Sequence, residues 1–226
     1  MFQRQHKLLQ KSIRYLNTST STNTTSTGSN TKLQIFGAYY SQPTRSVLLL
    51  CDELKIPYEF IVTDPIAGDC RKPEFKSMHS TMQVPCIRVT NQITPAIASP
   101  PTGNDFILGE CSAILNYIWN TNTNSNINGY NIVGGHNQPK LQAKIDFWYS
   151  WHHLNTRVST KGVLLPTLFI NDRSESLHKQ GLKSLNKSLK FMENHFITTK
   201  QPFLTGESIA LCDLLILPEL DQLLPQ

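Results

Sequence analysis

Ser41 stands where two local patterns meet. Before it, Leu33–Tyr40 (LQIFGAYY) reads as a strand of branched, aromatic and small residues. Ser41-Gln42-Pro43 breaks that pattern, and Thr44–Leu54 (TRSVLLLCDEL) reads as a helix with Pro43 suited to its first turn. A hydroxyl at such a junction can donate to an anion, and the helix N-terminus adds positive potential. Both favour the charged form of a bound thiol and so lower its pKa. Each unit of lowering takes about 1.4 kcal/mol of differential stabilisation. A hydrogen bond to a charged group supplies about 1.5–3 kcal/mol, enough for one or two units. The plainer role for Ser41 is to cap the helix with its own oxygen.

Other residues invite chemistry with less force. Val84-Pro85 opens a strand, where a proline is unusual unless the strand is an edge or the bond is special. Glu110-Cys111 opens a helix, a place where a thiol can become reactive, although most such cysteines are inert packing residues. His152-His153 suggests a metal, but adjacent helical residues point about 100° apart and cannot converge on one ion by themselves. No metal site is expected.

These positions are carried by two stretches of different character. From residue 32 to 120 the order is strand, helix, strand (Tyr58–Thr63), short helix (Pro73–Met78), two hairpin strands (Val84–Thr90, Phe106–Leu108) and helix (Glu110–Trp119). The hairpin connection Asn91–Asp105 is long and rich in Pro and Asn, and reads as a surface insertion. Residues 121–138 read as a polar, Asn-rich linker. Residues 139–226 read as helical: Lys140–Lys161 as one long helix, Ser174–Ile197 as another, and Ile209–Leu217 as the start of a third.

Residues 1–31 stand apart. They are basic and hydroxyl-rich, and no acid occurs before Asp52. Leu8, Leu9, Ile13 and Leu16 fall near one helical face, and a Ser/Thr/Asn tract follows. The pattern is that of a mitochondrial transit peptide or a disordered leader, so the protein is expected in the cytoplasm or the mitochondrial matrix. Five of the 21 basic residues lie in residues 1–32, leaving sixteen against sixteen acids in the remainder. Four of those five, Arg4, Lys7, Lys11 and Arg14, lie in the leader, so the formal charge of +5 comes mostly from there, and nothing argues for a nucleic-acid partner. No apolar run approaches the roughly 20 residues of a membrane span. Five cysteines without CxxC spacing suit free thiols in a reducing compartment better than a disulfide framework.

Taken in order, YYSQPTRSVLL, VPCI, GECSAILNYIW, LQAKIDFWYSWHHLNTR and PFLTGESIALCDLLIL resemble the glutathione S-transferase family, and YSQPTR is similar to its theta class. The resemblance spans about residues 33–218. It implies an α/β plus all-α architecture: a thioredoxin-like N-terminal domain followed by a helical C-terminal domain. It implies that glutathione is held as its thiolate by Ser41, with no metal, and attacks small apolar electrophiles or displaces halide from them. It also implies a homodimer.

The family's roles carry over residue by residue. Gln42 would contact the peptide. The bond Val84-Pro85 would be cis, with the backbone of Val84 pairing the cysteinyl part of glutathione and Gln83 touching its glycyl end. Cys70 and Arg71 fall where the glycyl carboxylate is held, a role that suits Arg71 better. Glu110 would pair the γ-glutamyl ammonium while the helix N–H groups receive its carboxylate. Cys111 replaces the family's usual serine and is a weaker donor. Arg157 falls where the theta class can direct an arginine at the electrophile; a surface arginine is the alternative.

The resemblance also marks departures. Gly206–Asp213 is similar to the family's capping box and staple, with Asp213 at the third helical position, Ile209 able to staple to Leu214, and Ala210 where a hydroxyl is usual. The chain ends at Gln226, where family members normally continue, so the helical domain is expected to be short. These departures and Cys111 keep open a second reading, a non-catalytic glutathione-binding or interaction module of the same fold. A zeta-like isomerase ranks lower, because SQPTR lacks that class's extra serine and cysteine. A glutaredoxin-like reductase would need cysteine at position 41.

Overall fold

A computed structural model describes residues 32–90, 105–122, 132–135, 138–168 and 175–223. The leader, the 91–104 part of the insertion and the last three residues lie outside this description. The chain divides into two compact units, with the boundary between Ser125 and Asn126.

The first unit is a four-stranded sheet with helices. Its elements are β1 (Lys32–Gly37), α1 (Gln42–Leu54), β2 (Glu59–Val62), a 3-10 turn (Asp69–Arg71), α2 (Pro73–Met78), β3 (Cys86–Thr90), β4 (Phe106–Leu108) and α3 (Cys111–Thr121). The strand order is β2-β1-β3-β4. β2 runs parallel to β1, while β3 and β4 pair antiparallel. This is the thioredoxin-like arrangement that the resemblance implied.

Alternation along β1 gives the sheet two faces. Phe36 packs with Cys86, Cys70 and Phe75, so the turn after β2 and α2 cover its face. Residues of the other parity, Ile35 and Ile87, are wholly buried, as are Val47, Leu48, Leu50 and Cys51 of α1 and Ile114 and Leu115 of α3. Truncating Leu48 to alanine would cost about 2–5 kcal/mol. Beside Phe36 lies a polar ladder: Arg88 donates to Gln34 (2.6 Å), Gln34 donates to Glu59 (2.6 Å), and Lys32 pairs with Glu59 (2.8 Å). Wholly buried Gln34 is thereby satisfied at both ends of its amide.

The second unit contains β5 (Ile132–Val133), α4 (Pro139–Leu154), α5 (Thr156–Leu168), α6 (Glu175–Thr199), β6 (Ile209–Ala210) and α7 (Leu211–Asp221). Three differences from the sequence reading have identifiable causes, one local and two from long-range strand pairing. The expected single helix 140–161 is two helices, broken at Asn155. Asn155 leaves helical geometry (φ −122, ψ −81) and closes α4, its N–H and its side-chain amide both donating to Trp151 O at 3.0 and 2.8 Å. The polar stretch 121–138 contains β5, which pairs in parallel with β6 from more than seventy residues on. Ile209 and Ala210 are consequently strand, and the last helix starts at Leu211.

Asp213 closes one half of the anticipated capping box, accepting from Ala210 N (2.8 Å) and also from Leu204 N (3.1 Å). α5 and α6 meet backbone to backbone: a methyl group on Gly181 would come within 2.7 Å of the Gly162 carbonyl. Among the described residues, no helix is long and apolar enough to cross a membrane.

Candidate functional site

The sheet register gathers several loops at one end of the first unit. Gly37, the last residue of β1, pairs with Val62 at the end of β2. Phe36 pairs with Cys86, the first residue of β3, and Ile87 pairs with Leu108, the last of β4. The segments bearing Ser41, Arg71, Val84-Pro85 and Glu110 therefore leave the sheet at the same end. Cys111 fastens two of them, its thiol donating to Pro43 O at 3.3 Å and joining the start of α3 to the start of α1.

Ser41 is half-buried, with extended backbone (φ −75, ψ 115) immediately before α1. Its N–H donates to Ala38 O (2.9 Å) and its carbonyl accepts from Arg45 N (3.0 Å). Its hydroxyl makes no cap hydrogen bond, so the plainer role suggested by residue type is not filled. Two features hold the turn. Gly37 admits Thr44 so closely that a methyl group there would lie 2.4 Å from Thr44 Cγ2. The Arg45 guanidinium reaches the carbonyls of Tyr39 and Tyr40, both at 3.4 Å.

Tyr40, beside Ser41, donates its phenol to Asp64 (2.5 Å). Asp64 also accepts from the N–H groups of Ile66 and Ala67 and donates its own N–H to Asp69. Burial and the Asp64 bond push the phenol up to about 12. It therefore keeps its proton and braces the turn after β2 against the Ser41 turn.

The other anticipated residues are distributed unevenly. Val84-Pro85 is cis, as the resemblance implied. Arg71 and Gln83 are exposed, and Gln42 is half-buried in the first turn of α1. Cys70 differs: it is buried in the cluster with Phe36, Phe75 and Cys86, and burial raises its thiol above the ordinary value. Its side chain fills the core, leaving Arg71 as the outward member of that pair. Cys111 is likewise buried, against Pro43.

Glu110 is exposed and adopts φ 63, ψ 113, outside the wells that side-chain-bearing residues prefer. Such a conformation costs about 1–3 kcal/mol and persists where the surroundings hold it. His79 lies against the adjoining Gly109, and burial holds its imidazole below the ordinary pKa against the opposing pull of Glu110. The roles of His79, Gly109, Tyr40 and Asp64 depend on contacts between distant segments, and no sequence spacing announces them.

Arg157 lies in the second unit. It pairs with Glu219 at 2.8 Å, and Glu219 is 1% exposed. Thr160 and Gln222 also donate to Glu219. Arg157 is therefore not a plain solvated arginine. His152 donates to or accepts from Thr156 at 2.6 Å in a buried setting. Among the described residues, no group of three or more His, Cys, Asp or Glu side chains could hold a metal ion.

Comparison with known proteins gives the class first. No protein-family model matches the chain. A human theta-2 glutathione transferase structure, solved with glutathione and an unknown ligand, is 25% identical with a TM-score of 0.65, covering 84% of this chain and 71% of its own. A human theta-class enzyme in complex with the glutathione conjugate of 1-menaphthyl sulfate is 25% identical with a TM-score of 0.66 over the same shares. The chain thus has the glutathione S-transferase fold. In sequence, the theta-1 glutathione S-transferase of Gallus gallus is 28% identical over 205 residues, which is 84% of this chain and 74% of the relative. The theta-class glutathione S-transferases are homologues of this protein.

Proposed function

We propose that this protein is a glutathione transferase that holds the glutathione sulfur as a thiolate through Ser41 and directs it at small apolar electrophiles. The observation that carries the reading is the Ser41 hydroxyl, set before α1 and making no cap bond of its own. A thiolate placed there would receive that hydrogen bond together with the positive end of a thirteen-residue helix. The homologues' complexes with glutathione and with a glutathione conjugate favour the same ligand class.

Around that point the peptide would be spread over residues at the same end of the sheet. Val84 would pair with its cysteinyl backbone, Glu110 with its γ-glutamyl ammonium, and Gln42, Gln83 and Arg71 with its remaining polar groups. By resemblance the protein would act as a homodimer, and Arg157 would belong to the electrophile side. Its bond to Glu219 argues for a structural duty instead.

Steady-state turnover of an electrophile together with glutathione binding tests the reading. Ser41→Ala should lower turnover on the order of a hundredfold, as loss of a charge-stabilising donor does elsewhere, while glutathione still binds. Unchanged turnover would remove Ser41 from the mechanism. One observation favours the second reading, a non-catalytic binding module: the Cys111 thiol is spent on Pro43 O. That reading predicts glutathione binding with no conjugation of any electrophile.

A further inference from the structure

Glu110 keeps its unusual backbone without help from its own side chain, which makes no cap hydrogen bond. On the helix side its carbonyl accepts from Ile114 N at 2.9 Å. On the strand side the constraint comes from His79. A methyl group on Gly109 would lie 2.3 Å from Cε1 and 2.5 Å from Nε2 of that imidazole, so any side chain there would have to displace the ring. The ring is itself fixed: Nε2 is 2.7 Å from the Thr81 hydroxyl, and the buried Phe75 ring meets it edge-on at 6.2 Å between centroids. His79 thus links the core cluster beneath α2 to the residue that precedes Glu110.

We propose that His79 is a positioning residue for the γ-glutamyl group of glutathione, holding Glu110 where its carboxylate and the first N–H groups of α3 can serve one ligand. The inference rests on the glutathione reading above. A neutral imidazole suits the role, since a cation would compete with the ligand's ammonium for Glu110. Burial favours the neutral form. His79 touches Gly109, not the reacting sulfur, so it should govern affinity for one part of the ligand and leave thiol activation to Ser41.

Calorimetric titration of the full chain with glutathione and with cysteinylglycine, which lacks the γ-glutamyl group, separates these effects. His79→Ala should weaken glutathione on the order of tenfold, about the worth of one well-placed hydrogen bond. It should leave cysteinylglycine affinity and the bound thiol's titration unchanged. Equal losses for both ligands, or none, would overturn the proposal. Wild-type protein that binds no glutathione would bring down the functional reading itself, a distinct result. Should His79→Ala fail to fold, Gly109→Ala tests the same contact, because the new methyl group must displace the imidazole. It should reproduce the selective loss, and a Gly109→Ala variant that keeps wild-type glutathione affinity would sink the idea.

Discussion

The loop end of the first unit and the buried network of the second treat their polar groups in opposite ways. At the loop end of the first unit, Ser41 and Glu110 make no cap hydrogen bonds, and Arg71, Gln83 and Glu110 are exposed. In the second unit, polar groups are buried and matched. Glu219 takes Arg157, Thr160 and Gln222; Asp213 takes two backbone N–H groups; the Trp148 indole donates to Leu204 O at 3.1 Å. A polar group at the surface stays hydrated and available to a ligand, whereas one saturated inside the protein supports the fold and offers nothing. The contrast is what the proposed glutathione site in the first unit requires, with structural duty left to the polar network of the second.

Arg157→Met challenges that contrast most strongly. If the guanidinium serves the fold, Glu219 is left buried without its cation, at a cost of about 3–5 kcal/mol measurable by urea unfolding. A stable variant with lost turnover would instead put Arg157 on the electrophile. Asp213→Ala should cost about 2–4 kcal/mol, since Leu204 N and Ala210 N lose their acceptor inside the protein. An unchanged unfolding midpoint would show that the box contributes little.

Acid should act through the second unit. Burial drives the His152 imidazole down to about 3, with His153 and Arg157 adding to the effect. The unfolded chain's histidine titrates at about 6.5. Between these values the unfolded state binds the extra proton, so the His152 contribution is complete above about 6.5 and is lost as pH falls. Asp213 opposes this: burial raises it to about 6 from an ordinary value of about 3.9, so the folded state holds the extra proton between them and gains as pH falls. Unfolding midpoints at neutral and mildly acid pH should therefore show a flatter or reversed acid loss in His152→Gln than in wild type. An identical slope in both would remove His152 as the source. The smallest shift belongs to Ser41→Ala, which should change stability by less than about 1 kcal/mol because no cap bond is lost.

Residue pattern alone carried the strand–helix–strand order of the first unit, the start of α1 near Pro43 and the helical character of the second unit. These follow from periodicity and from proline and glycine chemistry, which act over a few residues and are therefore visible in one dimension. Asn155 was harder to read, because closing a helix with its side chain on Trp151 O depends on a geometry that residue type permits but does not require. The inward position of Cys70 is where a free thiol's small apolar character favours it, but packing with Phe36, Phe75 and Cys86 is what leaves the proposed ligand role to Arg71.

The local sequence by itself determined that a hydroxyl would stand at the mouth of α1 and that an acid would stand before α3. Tertiary structure decided what those groups are free to do. The register of four strands brought their loops to one end, the Cys111 thiol joined two helix starts, and an imidazole thirty residues away lodged against the glycine before Glu110. Contacts across such separations arise only when apolar burial folds the sheet onto its helices, because no short-range preference encodes them.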